Sequence, residues 1–301
     1  MGNMGKNQAL TLTIVARMTS NYSEGLGNIA SVQKVFRDGR TYAIRSKESL
    51  KNAIMVNSGM YDDLEVEVDG VAQKKAYESK NAATCRALEG GYMKTSGESK
   101  IRKSSFYLTD AVACDEFVNE TRFHNNLFLA GRYASGKKIN LQENAKKSGL
   151  MPYQYEYDKS MKQYSLTIQL DEVGKDANFK DAEASNEEKM ERVKLILNVV
   201  ENLALTVKGN LDNAEPILVV GGIGPYKTHY FENVVRVERR MLTISEDLKE
   251  KIKKGYKIAL LEGNNFANEV EIKEKLKPIT ITSFFDEIKK EVEEYYGSNQ
   301  N

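Results

Sequence analysis

Tyr164-Ser-Leu-Thr-Ile-Gln-Leu170 alternates apolar and polar side chains more cleanly than any other stretch of this 301-residue chain. A period of two marks a β-strand with one buried face. The segment after it predicts a helix. Ser185 and Glu188 form a capping box, and Val193, Ile196, Leu197, Val200, Leu203, Ala204 and Val207 recur at helical spacing. Pro216-Ile-Leu-Val-Val220 then reads as a buried strand. A similar unit opens the chain. Leu10-Thr-Leu-Thr-Ile-Val-Ala16 alternates, Tyr42-Ala-Ile-Arg45 is a short strand, and Ser46 caps a helix carrying Leu50, Ala53, Ile54 and Asn57, with Gly59 as its stop. Tyr256-Lys-Ile-Ala-Leu-Leu261 is a further buried strand, and Phe284 to Tyr296 a highly charged terminal helix.

Two strand–helix units packed on one antiparallel sheet make an α+β sandwich on the ferredoxin-like plan. Two stretches do not fit that core. Residues 61–104 are long, charged and mixed in pattern, and residues 136–162 combine glycine, proline and many lysines with little period of either kind. Stretches of that length inside a compact domain are usually functional insertions. A helix over Glu116 to Leu129 would carry His124 in a structural role.

Charge is segregated along the chain. Lys and Arg total 44 against 43 Asp and Glu, yet residues 1–60 hold eight bases and three acids, 71–105 again eight and three, and 131–164 seven and three. Residues 62–69 hold five acids and no base, and 171–191 hold eight acids against three bases. If the basic stretches share a face, the chain offers a path for a polyanion and an acidic surface elsewhere. The composition, 41% hydrophobic and 29% charged, is that of a globular protein. Two cysteines, Cys85 and Cys114, and two histidines, His124 and His229, give neither a disulfide framework nor a metal site unless all four converge. No apolar run reaches the length of a membrane span, and residues 1–8 lack a signal-peptide core, so a soluble, cytoplasmic protein is expected.

Chemistry is sparsely signalled. HExxH, CxxC, GxxxxGK[ST], GxSxG and GxGxxG are all missing from the sequence, and His229 has no local partner that would make it a general base. Binding is better represented. Gly221-Gly-Ile-Gly-Pro-Tyr-Lys-Thr-His-Tyr230 follows a strand as a glycine-rich turn, where backbone N–H groups can approach phosphate and Lys227 and Thr228 add a charge and a hydroxyl. Arg45, Ser46, Lys47 and Ser49 surround a helix N-terminus, a favourable place for an anion. In 136–162, Lys137, Lys138, Lys146, Lys147, Lys159 and Lys162 interleave with Met151, Tyr153, Tyr155 and Tyr157, a mixture suited to a single strand with stacked or wedged bases. Each signal also has an ordinary structural reading: a turn, a capped helix, a small hairpin core. Together they point to single-stranded nucleic acid held without chemistry.

Leu12-Thr-Ile-Val-Ala-Arg-Met-Thr-Ser20, the Gly25/Gly27-Asn28-Ile29 loop, Tyr42 to Ile54, and Val219-Val-Gly-Gly222 with Lys227 to His229 occur in an order that resembles the DevR-type family. Members of that family are repeated backbone subunits of type I-B CRISPR Cascade complexes, within the RAMP superfamily, and the likeness spans most of residues 10–240. It implies an RRM-like palm as a single core over 1–301, a finger insertion at 61–104, a thumb β-hairpin at 136–162, and a C-terminal helix and tail at 278–301. It also implies a non-catalytic protein, needing no cofactor or metal, that stacks head to tail along CRISPR RNA (crRNA) and presents the guide for pairing with target DNA. The partners implied are crRNA, target DNA through it, further copies of the chain and other Cascade subunits, with no membrane.

The RNA contacts implied are Arg17 and Asn21 near the first strand, and Arg45, Ser46, Lys47, Ser49 and Lys51 at the strand-to-helix junction. Lys137, Lys138, Met151 and Tyr153 would belong to the thumb, and Gly221, Gly222, Lys227, Thr228 and His229 to the glycine loop. The Gly-Gly-Ile-Gly-Pro run departs from the polar residue and early histidine more usual in the family. The aromatic-rich signature of ordinary RRM proteins is missing, so base stacking on the sheet face is not expected. Two other readings stand beside this one: an RRM-like endoribonuclease processing CRISPR repeat RNA with His229 as base, and a nucleotide-binding regulator using the glycine loop.

Overall fold

The alternating N-terminal segment lies in the middle of the main sheet. A computed structural model describes residues 8–22 and 29–297; the Gly25/Gly27-Asn28 part of the loop quoted above lies outside them. The core elements are β1 (Ala9–Thr19), β2 (Lys34–Arg37), β3 (Arg40–Arg45), α1 (Lys47–Asn57), β4 (Phe106–Leu108), β5 (Ala111–Ala113), β6 (Lys159–Gln169), α2 (Asn186–Glu201), β7 (Pro216–Gly224), β8 (Lys257–Leu260) and α3 (Ile281–Gly297). The strands form one antiparallel sheet in the order β8-β7-β1-β6-β5-β3-β2, with β4 also on β6. The result is a mixed α/β architecture, helices packed on a central antiparallel sheet.

Register explains the layering. Leu12 faces Leu166 and Ile14 faces Tyr164 across β1 and β6, so the apolar sets of both strands project to one side. There they meet Leu50 and Ile54 of α1, Val193 and Leu197 of α2, and Phe284, Phe285 and Ile288 of α3, all buried. Side chains of that size contribute roughly 1.5–3 kcal/mol each when fully buried. The opposite face carries a second, smaller core of Val15, Met161, Leu218, Val220, Phe231 and Val235. Beyond β8 the sheet edge is closed by Ile279, whose N–H and C=O bond Ile258 and Leu260.

Three expectations change. Ser185 caps α2, its hydroxyl accepting from the Glu188 N–H. The Glu188 carboxylate binds Arg86 and Arg192 instead of completing a capping box, and α2 stops at Glu201. Ala204–Val207 instead forms a hairpin with Asn210–Asn213. Leu205 and Val207 alternate with exposed Ala204 and Thr206, and Lys208-Gly209 supplies a turn with positive φ at both residues; a period of two was hidden inside an apparently helical run.

The helix expected over 116–129 is replaced by a strand, Thr121–His124, and by a helix starting only after Asn126, Leu127–Gly136. Thr121, Phe123 and the aromatic partners opposite favour extended backbone.

Residues 136–162 are not a β-hairpin. After turns at 141–149 the strand Tyr153–Glu156 pairs backward with Thr121–His124 and in parallel with Ile29–Ala30. Lys159 and Lys162, expected in the same unit, already belong to β6, whose edges are taken by β1 and by β4 and β5.

Residues 61–104 form two hairpins, Val66–Asp69 with Val71–Lys74 and Tyr92–Lys94 with Lys100–Arg102. They surround a small core of Ala76, Ala82, Cys85, Ala87, Leu88 and Tyr92, completed by Phe179 from the acidic segment after β6. Arg102 and Arg192 both donate to Glu89, at 2.8 Å each, and the Gly174 N–H donates to it at 3.1 Å. The insertion is thereby fastened to α2. Among the described residues no helix is long and apolar enough to cross a membrane.

Candidate nucleic-acid interface

The face of the sheet away from the helices is polar where β1 and β6 begin and end. Thr13 and Ser165 hydroxyls lie 2.8 Å apart, and Thr11 and Thr167 hydroxyls 3.3 Å apart. The latter two both donate to the Thr228 carbonyl at 3.1 Å, and Thr11 accepts from the Tyr230 N–H. The segment after β7 is thus tied across the sheet by threonines that a strand's alternation places side by side. His229 Nδ1 lies 2.8 Å from the Thr167 hydroxyl. Desolvation lowers the imidazole pKa, with Glu232 opposing, which favours the neutral ring. Lys227 is held by Asp171 at 2.6 Å.

Gly221 and Gly222 do not form a turn. Both lie within β7, opposite Leu12 and Thr11. A Cβ on Gly221 would fall 2.0 Å from the Thr11 carbonyl oxygen. The glycine is required by the close approach of two strands, and its N–H points into a ladder, not toward a ligand.

At the other end of the β1 track, Arg17 is exposed on the polar face. It stands six residues from Thr11, about 20 Å at the usual strand rise. The strand-to-helix junction lies beyond it. Asn21 accepts from the Ser46 N–H at 2.7 Å, and the Ser46 hydroxyl caps α1 by accepting from the Ser49 N–H. The Lys47 N–H, the first of α1, donates to the Asp110 carboxylate at 2.8 Å. An acidic side chain therefore already occupies the dipole end that the sequence offered to phosphate. Arg45 is 5% exposed and donates to the Thr19 carbonyl, with its Nε unpartnered. Burial lowers its pKa against the pull of Asp212. Lys51 points away from this cluster, into the root of the insertion, donating to the Gly90 carbonyl and the Ser104 hydroxyl at 2.7 and 2.9 Å. Asn21, Arg45, Ser46 and Ser49 are brought together; Lys51 is not among them.

The remaining candidates belong to the small sheet of Thr121–His124, Tyr153–Glu156 and Ile29–Ala30. Met151 and Tyr153 are exposed there, as are Lys137 and Lys138 at the end of the helix Leu127–Gly136. Asn126 fastens this unit, accepting from the Met151 N–H and donating to the Gly149 carbonyl, both at 2.8 Å. Tyr155 and Tyr157 are expected here from the sequence; Tyr22, Arg122, His124 and Lys208, which surround them, are not. His124 stacks on Tyr153 and Tyr155, with ring centroids 5.5 and 4.8 Å apart and planes within 17°. Tyr22 meets Tyr155 edge-on, Lys208 lies 4.7 Å over Tyr22, and Arg122 lies 3.4 Å over Tyr157. Alternation of aromatic and basic residues in Thr121-Arg-Phe-His124 and Tyr153-Gln-Tyr155 is the signal that would have found this surface.

No cluster of three or more potential metal ligands occurs among the described residues, and Cys85 and Cys114 are free thiols. Burial pushes the Cys114 thiol up to about 12, an unreactive state.

Two solved structures share the fold. One, a chain of a "CRISPR RNA-guided surveillance complex, pre-nicking", aligns at a TM-score of 0.56 with 10% identity, over 85% of this chain and 93% of that one. The other, from a "CRISPR RNA-guided surveillance complex", gives 0.50 with 14% identity, over 85% and 90%. No curated protein matches the sequence. The model of the family described as CRISPR-associated negative auto-regulator DevR/Csa2 matches residues 10–238, which include the polar sheet face, the α1 junction, the aromatic sheet and the segment tied over Thr11 and Thr167. The chain belongs to the DevR/Csa2 family of CRISPR-associated proteins.

Proposed function

We propose that this protein is a non-catalytic backbone subunit of a type I-B Cascade that binds crRNA, stacks head to tail along it and presents it for pairing with target DNA. In this reading the central sheet with its helices is an RRM-like palm, residues 61–104 are the fingers, and the unit around 121–157 serves as the thumb. The observation that carries it is the near-complete alignment with a subunit of an RNA-guided surveillance complex. That likeness is joined to the exposure of Arg17 on the central sheet and of Lys137, Lys138, Met151 and Tyr153 about the small sheet with its stacked aromatics.

Contacts made by lysine, arginine and flat rings hold a strand regardless of its sequence, which a guide requires. Head-to-tail stacking is a heterologous contact that does not close, so it generates a helical filament. His229 supports binding more readily than catalysis. Thr167 gives its hydroxyl proton to the Thr228 carbonyl, so Nδ1 donates to Thr167 and the neutral ring leaves Nε2 to accept from a ribose hydroxyl.

The test is sizing of the purified protein with and without single-stranded crRNA, in moderate and high salt, followed by gel analysis of the RNA. Intact RNA in a large, multi-copy particle that weakens with salt is the expected result. Shortened RNA with the protein still monomeric, and loss of that cutting in His229→Ala, would overturn it in favour of an endoribonuclease.

A further inference from the structure

Two lysines meet at the root of the 61–104 insertion. Lys51 arrives from α1, and Lys74 from the end of the first hairpin, where it donates to the Ala87 carbonyl at 3.0 Å. Lys51 lies 4.8 Å over the Phe106 ring and Lys74 4.9 Å over Tyr61. Both border the space beside Gly90. A Cβ built there would lie 3.7 Å from Lys51 Nζ and 3.8 Å from Lys74 Nζ.

Neither ammonium has a carboxylate within ion-pair distance among the described residues, where the ion pairs of the root are Arg102–Glu89 and Arg192–Glu89. Glu89 is therefore committed to two arginines, and Asp176, the other buried acid of this region, to the Tyr92 hydroxyl and the Ala82 N–H. Carbonyl dipoles and ring faces orient the lysines without cancelling their charge. Each ammonium has three hydrogens. Lys51 spends two on Gly90 and Ser104, and Lys74 spends one on Ala87, so donors remain.

A cavity of about 470 Å³ opens beside Lys51, lined also by Lys47, Glu48, Gly90, Arg102 and Ser104, with Glu48 3.9 Å from Lys47. Lys74 is not in this lining and approaches only at Gly90, 3.8 Å from a Cβ built there. The geometry points to an oxyanion site at the insertion root, in which a phosphate group is held beside Gly90 by the Lys51 and Lys74 ammonium groups. Two half-buried like charges with no counter-ion are expensive, and a multivalent anion accepting from both removes the repulsion. In its absence, burial brings both lysines down to about 8, with Lys74 and Arg102 adding repulsion at Lys51 and Arg102 adding it at Lys74. The phosphate can come from a nucleic-acid strand or be free in solution. The site stands on the lysine pair and does not depend on guide binding.

The experiment is lysine acetylation of the full chain without guide RNA at pH 7, read residue by residue by mass spectrometry. Inorganic phosphate is compared with chloride at equal ionic strength. Phosphate is expected to slow modification of Lys51 and Lys74 by about fivefold once it reaches about four times its dissociation constant, leaving exposed Lys137 and Lys138 unchanged. Lys74→Met removes the protection of Lys51, and Lys74→Arg keeps it. Gly90→Ala, which leaves every charge in place and fills the space, also removes it. A parallel arm with a short single-stranded RNA separates the sources: protection by micromolar strand identifies a backbone phosphate, and protection by free phosphate alone identifies the small anion. Equal acetylation of both lysines in chloride, phosphate and RNA would overturn the site.

Discussion

Glu89 and Arg192 are joined by a 2.8 Å ion pair between the insertion and α2, with both side chains at most 1% exposed. The other Glu89 oxygen holds Arg102. Glu89→Gln leaves the buried Arg102 guanidinium without a countercharge and Arg192 with Glu188 alone, a change that costs about 3–5 kcal/mol. Urea unfolding of the variant should show that loss.

Gly221→Ala tests whether the glycines serve the sheet. The added methyl meets the Thr11 carbonyl oxygen and the Leu12 backbone. Overpacking against main chain cannot be relieved by a side-chain rotation, so a loss of at least about 3 kcal/mol is expected. A variant of unchanged stability with weakened RNA binding would return Gly221 to a ligand-contact role.

Arg17 and Arg45 should part company under salt titration. Arg17 is exposed on the sheet face, whereas Arg45 is buried and bonded to Thr19. Arg17→Ala should leave the unfolding midpoint in place and reduce the salt slope of guide binding by about 0.7 per subunit. Arg45→Ala should lower the unfolding midpoint first.

Lys51 and Lys74 give a pH signature. Their folded-state values of about 8 lie below those of lysine in the unfolded chain, roughly 10.4. Above pH 8 the unfolded chain therefore holds more protons than the folded one, and stability rises with pH. Cys114, whose thiol burial pushes up to about 12, already works against the lysines from about pH 8.5, so the net rise should be visible by urea unfolding only between pH 8 and about 9. Beyond that, tyrosines that burial pushes up, such as Tyr22 and Tyr256 at about 12, begin to work in the opposite direction. Lys74→Met should flatten the rise.

The sheet and its principal helices were legible because their signals are local. Ser46 and Ser185 do cap α1 and α2, and Tyr164 to Gln169 does lie in a strand with one face in the core. Boundaries failed where two periods overlapped, as at Leu203 to Val207, and where a strand's partner was distant in sequence, as with His124 and Tyr153. The candidate site was legible as residue types and not as geometry. Nothing near Lys47 announces Asp110, and nothing near Lys51 announces Gly90, because both relationships depend on the path of an insertion.

The central position of β1 also sets the order of events on the ribosome. Thr11 finds its hydroxyl partner Thr167 only 156 residues later and the Thr228 carbonyl 217 residues later. At about 5–20 residues per second, the central strand of the nascent chain waits roughly 8–30 s for its first neighbour. During that interval both of its edges are open to other chains. Separations of this size also predict slow refolding, so the protein should be most vulnerable to aggregation while it is being made, and overexpression should favour slower translation or a bound chaperone.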